Sequence, residues 1–286
     1  MQVEQVVERP PAATLVRRIE PSRGAFALDL PEIWRYRELV YFLIWRDIKA
    51  RYRQTVLGAF WAVIRPFVQM VVFTIIFSKL AGINAPGGTP YPLFVYPGLL
   101  VWTYFTSALS GGSSSVAGNG GLITKAYFPR IYIPFTAVLA PLVDFALSFV
   151  VLAGLFAWYR YPPSWQIVFL PFFLFLTIVI AFGLSLWLAP LTVRYRDVPY
   201  ALPFLLQIWM YVTPVIYPIT LVPAEWQWVL ALNPMTGVVS GARWSLIGGA
   251  PPTAGQLLGS IVIGLGSLAV GFLYFRRREP TFADFI

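Results

Sequence analysis

Six long apolar runs limit what this chain can fold into more than any other feature. They fall at roughly 57–80, 92–115, 132–158, 166–192, 198–220 and 256–275. A helix rises ~1.5 Å per residue and the hydrocarbon layer of a bilayer is ~30 Å thick, so each run can cross it. The rest of the chain does not offer the alternative of a soluble domain. Hydrophobic residues make up 58% of the 286 and charged residues only 12%, with mean hydropathy +0.70. A soluble domain of that length needs more charge to cover its surface. The expected fold class is all-α, a polytopic membrane protein with six transmembrane helices.

The distribution of charge orients those helices. An even number of spans puts both termini on one side. If that side is the cytoplasm, the termini and the 116–131 and 193–197 loops take every Lys and Arg except Arg65, near the inner end of the first run, and Lys79, Arg160 and Arg243, which fall to the other side. This is the asymmetry that cytoplasmic loops carry. The net charge of +9 is spread over the ends of apolar runs and forms no soluble basic face, so nucleic acid is not an expected partner. Met1 to Leu30 mixes Glu, Arg and Pro without an apolar stretch, which fits a loosely held cytoplasmic arm better than a signal peptide. Cys and His are absent, so disulfides, thiol nucleophiles, histidine bases and Cys/His metal sites are excluded.

Ahead of the first run lies a basic amphipathic stretch that leads, by sequence, without a loop into the first span. At ~100° per residue, Tyr41, Ile44, Trp45, Ile48 and Tyr52 fall on one face, with Arg46, Lys49 and Arg53 opposite and Arg51 at the flank. Such a helix lies in the membrane surface, aromatic side toward the acyl boundary and cations toward anionic headgroups. An ordinary juxtamembrane basic patch is the other reading. The fifth run is broken by Thr213-Pro214 and Tyr217-Pro218, so it kinks or ends early. Between 222 and 254 the apolar pieces are too short to span, and re-entrant or interfacial helices are expected there. The run SALSGGSSSVAGNGG at the end of the second span leaves two readings open, close helix approach or a glycine-rich loop.

Four motifs carry a resemblance. They are R-D-I-K-x-R-Y-x-Q-T-x-L-G-x-x-W over Arg46 to Trp61, and N-x-x-L-I-x-K-x-x-F-P-R over Asn119 to Arg130. Then come the Y-R-D-V turn ending at Val198 and N-P-M-T-G-x-V-x-G-x-R over Asn233 to Arg243. In this order they resemble the permease subunits of ABC exporters for polysaccharides, of O-antigen and teichoic acid type. The resemblance runs from about Tyr41 to the C-terminus and divides the chain into an arm (1–30), an interfacial helix region (31–56) and a permease domain (57–286).

The resemblance implies the membrane half of an ATP-driven exporter: a homodimer with two copies of an ABC ATPase in a bacterial inner membrane. Its cargo would be a glycan on undecaprenyl diphosphate, as in O-antigen export for lipopolysaccharide biosynthesis. ATP and Mg would be bound by the partner, since G-x-x-x-x-G-K-[ST] is absent from this chain. No cofactor, metal or catalytic residue is expected in the chain itself.

The second motif resembles the loop that such permeases present to their ATPase. Leu122, Ile123, Tyr127 and Phe128 read as an exposed apolar knob between Lys125 and Arg130, and exposed apolar groups mark partner surfaces. Arg46, Lys49, Arg51 and Arg53 are expected to attract the lipid head. Asp144 is the one carboxylate deep in a span, near mid-bilayer if counted from Ile131. It reads either as a conduit residue, with Trp61 and Arg65, or as a structural polar contact, Arg65 being the candidate counter-charge. Some of the 23 Phe, 15 Tyr and 11 Trp could stack on sugar rings. Other cargoes (teichoic acid, capsule, lipid or drug) are the alternative. A lone ion-coupled carrier or an intramembrane transferase would need clustered acidic groups, and the spans hold one Asp.

Overall fold

A computed structural model describes residues 36–53, 55, 58–125 and 128–282, apart from the side chains of Thr124 and Lys125. The expected arm, 1–30, and Tyr127 lie outside those residues. Among the described residues all regular structure is helical.

The helix ahead of the first span, α1, is Arg37–Tyr52. It does not run on into the first span, contrary to the sequence expectation. Its C-terminal neighbour Arg53 is extended (ψ 136°), Thr55 Oγ1 donates to Tyr52 O at 3.0 Å, and Gly58 takes a positive φ of 48°. A positive φ favours glycine because any Cβ is crowded there. The span α2 starts only at Phe60; it is α-helical over Phe60–Phe73 and π-helical over Thr74–Leu80.

Helix α3, Tyr91–Gly118, is the buried axis of the molecule. The small residues near its end stay helical to Gly118. A Cβ added at Gly112 would collide with Ser185, so close helix approach is the reading that holds. A short helix α4, Gly120–Lys125, leads toward the third span. That span is two helices, α5 Tyr132–Leu139 and α6 Leu142–Tyr159. The residues between, Ala140 and Pro141, keep right-handed helical angles, so direction is preserved. After a 3-10 turn, Trp165–Phe169, comes α7, Leu170–Arg194.

The fifth apolar run is helical only over α8, Val198–Val212. At 15 residues the helix alone is shorter than the ~20 of a fully helical crossing, and the rest of the run continues from it as non-helical chain over 213–218. Thr213 is extended (ψ 137°), the conformation a following proline enforces. Two shorter helices follow, α9 Gln227–Ala231 and α10 Pro234–Ile247, and most of α10 is buried. Short helices next to a membrane span are tolerated where protein covers their backbone, and α10 is covered in this way. The last helix, α11, is Ala254–Arg278. Thr253 and Gln256 start it by satisfying each other's backbone N–H groups.

Five stretches are thus long and apolar enough to cross a membrane: Phe60–Leu80, Tyr91–Gly118, Tyr132–Tyr159, Trp165–Arg194 and Ala254–Thr281. One large apolar cluster fills the bundle around α3 and α10, and a second sits at the end where α4, α5 and the C-terminal turns meet.

Candidate functional site

Two regions bring the sequence-predicted site residues together. The first is the end of the bundle around α4. Ile123 and Phe128, expected as an exposed knob, are each only 6% exposed. They lie in the second apolar cluster with Phe272, Phe275 and Phe282, and Leu122 packs against it. The correction has a simple cause. The C-terminal turn after α11 folds back under the loop, and α1 closes the other side through Leu39, Val40 and Tyr36, whose ring meets that of Tyr132 at 5.8 Å. An apolar group covered by its own chain needs no partner to shield it from water. Arg130 is held by the same turn. Its backbone N–H donates to Glu279 Oε1 at 3.3 Å and its Nη1 to Glu279 O at 2.6 Å. Tyr127 and the side chain of Lys125 lie outside the described residues.

The second region is a cavity of about 200 Å³ between the end of α1, the start of α2, the middle of α3 and the start of α6. Its walls include Arg51, Tyr52, Trp61, Arg65, Thr103 and Asp144. The three candidate conduit residues Asp144, Trp61 and Arg65 therefore share one cavity. Arg65 is not the counter-charge of Asp144. Arg51 Nη1 stands 2.6 Å from Asp144 Oδ2, and the Tyr52 hydroxyl donates to Asp144 Oδ1. Arg65 is exposed and makes no hydrogen bond or ion pair among the described residues.

Asp144 lies about 15 residues, hence ~22 Å, from the Tyr159 end of α6, inside the apolar stretch Tyr132–Tyr159. Burial, then the hydrogen bond to Asp144 and its charge, push the Tyr52 phenol far above its ordinary range, so it remains a donor. Ser148, one turn along α6, donates to Ala62 O at 2.9 Å and to Asp144 O at 2.8 Å, which fixes α6 against α2.

The interfacial cations are not a uniform array. Arg46 pairs with its neighbour Asp47 at 2.8 Å and Arg51 is taken by Asp144. Lys49 lies 5.3 Å from the Trp45 ring centroid, and it and Arg53 are exposed. The exposed aromatic stripe is Tyr41, Phe42 and Trp45, while Leu43 is fully buried. Helix α1 is thus wedged between protein and its outer surroundings. The expected aromatic face is rotated, because Leu39, Val40 and Leu43 claim the bundle side.

Sequence reasoning missed Tyr52 as a partner of Asp144 and Glu279 as the anchor of Arg130. Tyr52 is adjacent to Arg51, and two donors in the last turn of a helix are a readable signal once the helix end is known. Glu279 was hidden in a run that reads as a cytoplasmic stop.

An all-helical chain with five stretches long and apolar enough to cross a membrane, and a buried helix, α10, before the last of them, is a polytopic membrane protein. The chain belongs to the ABC-2 type transporter family, whose profile matches residues 38–247. It is 30% identical over 257 residues to the O-antigen export system permease protein RfbA of Myxococcus xanthus, covering 89% of this chain and 98% of that one. A Klebsiella pneumoniae protein of the same name is 25% identical over 252 residues, covering 87% and 95%. The polysialic acid transport protein KpsM of Escherichia coli is 22% identical over 238 residues, covering 83% and 92%.

Proposed function

We propose that this chain is the membrane subunit of an ATP-driven exporter that carries a polysaccharide of O-antigen type, built on undecaprenyl diphosphate, out of the bacterial cytoplasm. The observation that carries the reading is the end-to-end similarity to an O-antigen export permease. Two copies would form the path and two ABC ATPase subunits would bind ATP and Mg. The termini, the α4 end of the bundle and the α1 cations would face the cytoplasm, as the Lys and Arg distribution favours. Asp144 would then sit within the third span, tied through Arg51 to the helix whose cations attract headgroups. Each such cation adds ~1 kcal/mol to binding at an anionic surface, which recruits a lipid without selecting it.

A second reading keeps the machine and changes the cargo. Relatives include a polysialic acid transport protein and, at 28% identity over 195 residues, the inner membrane transport permease YadH of Escherichia coli. One experiment tests both levels. The chain is purified gently from its native membrane, its companions are identified by mass spectrometry, and surface polysaccharide is compared between the parent cell and a deletion. A stoichiometric P-loop ATPase and intracellular accumulation of lipid-linked O-antigen are the expected results. A chain that purifies alone, or unchanged surface glycan, would refute the machine and the cargo respectively.

A further inference from the structure

We propose that the Arg51–Asp144 pair is a displaceable plug in an anion site: the phosphate groups of a polyprenyl diphosphate take the place of Asp144 on Arg51, with Arg65 as the second cation. This deepens the exporter reading and rests on it for the identity of the lipid.

The charges in the cavity carry the inference. Two guanidinium groups, Arg51 and Arg65, line one cavity with a single carboxylate, Asp144. The carboxylate is spoken for on both oxygens, one by Arg51 and one by the Tyr52 hydroxyl. Arg65 has no partner among the described residues, although it stands one helical turn beyond Trp61 on a membrane span. An unpaired cation at such a position is costly and marks a place where an anion is handled. Asp144 therefore balances one of two positive charges and leaves the other for a ligand. A diphosphate carries more charge than a carboxylate and can engage both guanidinium forks, the geometry for which arginine is suited.

Space and access agree with the charge. At about 200 Å³ the cavity holds roughly six waters at ~30 Å³ each, room for a small anion once they leave. The side chains of Arg51 and Asp144 are 32% and 20% exposed, so an incoming group reaches the pair without unfolding anything. The pair joins two elements, since Arg51 and Tyr52 form the last turn of α1 and Asp144 the first turn of α6. Exchange of Asp144 for a phosphate would release the end of the interfacial helix from the third span. Binding of the lipid head would in that way be reported to the bundle.

The test uses the full chain in nanodiscs of phosphatidylcholine, with farnesyl diphosphate as the lipid probe and inorganic diphosphate as competitor. D144N removes the internal competitor while keeping a hydrogen-bond acceptor, and it should bind farnesyl diphosphate about five-fold more tightly, the weight of one partly exposed ion pair. R51Q and R65Q should each bind it about ten-fold more weakly. Competition by inorganic diphosphate would assign recognition to the phosphates alone, and no competition would assign it to the lipid form. Unchanged or weaker binding by folded D144N overturns the plug. Since Arg65 is exposed and unpartnered, R65Q keeps the test open if D144N does not fold, and normal binding by R65Q overturns the site. Loss of the ATPase from purified preparations would refute the exporter reading and leave these affinities unaffected.

Discussion

At Thr213-Pro214 the chain leaves its helix, and one guanidinium answers the carbonyls that are set free. Arg243 on α10 donates through Nε to Phe94 O at 2.9 Å and through Nη2 to Pro214 O and Val215 O at 3.1 and 2.8 Å. Its carbon Cζ lies 3.8 Å from the Phe94 ring centroid. Proline has no N–H and stops the ladder, so these carbonyls need donors that helix geometry cannot supply. Asn233, which caps the start of α10, holds the same break from its other side. Its side chain accepts from Trp209 Nε1 and Met235 N, both at 3.0 Å, and donates to Thr213 Oγ1 at 2.8 Å. A guanidinium holds five N–H donors in one rigid plane, whereas an ammonium has three on a compact point charge and does not reach the same set of carbonyls from the same place. Arg243→Lys should therefore cost about 2 kcal/mol and Arg243→Leu more, because a charged hydrogen bond contributes ~1.5–3 kcal/mol. The measurement is the midpoint of thermal aggregation of the detergent-purified chain. A leucine variant as stable as the parent would remove Arg243 from this role.

Helices α7 and α11 are elements that could not lie where they do with ordinary side chains at their crossing. A Cβ on Gly183 would strike the backbone of Leu268, and one on Gly271 would strike the carbonyl of Gly183. In a bilayer, helices gain little by hiding apolar surface, since lipid is as apolar as leucine, and close packing must hold them together. Gly271→Leu should force the pair apart at a cost of about 1–3 kcal/mol, the usual size of overpacking. It should show as lost monodispersity on size exclusion. Gly266→Leu, one to two turns earlier where nothing lies within 4 Å of an added Cβ, should pass unnoticed. Equal behaviour of the two variants would mean the crossing is not what holds α11. At this scale the sequence was most legible. Apolar runs located every span because a bilayer demands length and hydropathy from each. The proline pairs announced that α8 would end early. The Arg53–Gly58 break was invisible, because the motif there reads evenly as helix and one glycine rarely decides. The exposure of Ile123 and Phe128 and the partner of Asp144 were misjudged for a shared reason. Both depend on residues far along the chain, Phe282 and Glu279 in one case and Arg51 in the other, and periodicity reports only local faces.

At the scale of the whole molecule, the segment resembling an ATPase-docking loop is braced from below by the C-terminus. Phe282 is 1% exposed, meets Phe275 at 5.3 Å between ring centroids, and shares a cluster with Ile123, Phe128 and α1 residues Leu39 and Val40. An aspartate at Ile123 or Phe128 would thus bury an unpaired charge and damage the fold before it reported on docking. Phe282→Ala is a cleaner probe. It adds no charge, lies outside every membrane span, and removes the wedge that ties the loop to α11 and α1. Truncating a buried Phe costs about 3–5 kcal/mol. Here the loss should be confined to this end of the bundle, because the second cluster is separate from the large one around α3. If ATP-driven movement of the loop reaches the spans through this cluster, the variant should still bind the ATPase and hydrolyse ATP. Its polymer exported per ATP hydrolysed should fall several-fold. Amide hydrogen exchange should rise in 119–123 and 276–282 and stay unchanged in α10. A variant with loosened exchange at this end but full coupling would show that force passes from the loop directly into α3 and α5, with the C-terminus a bystander.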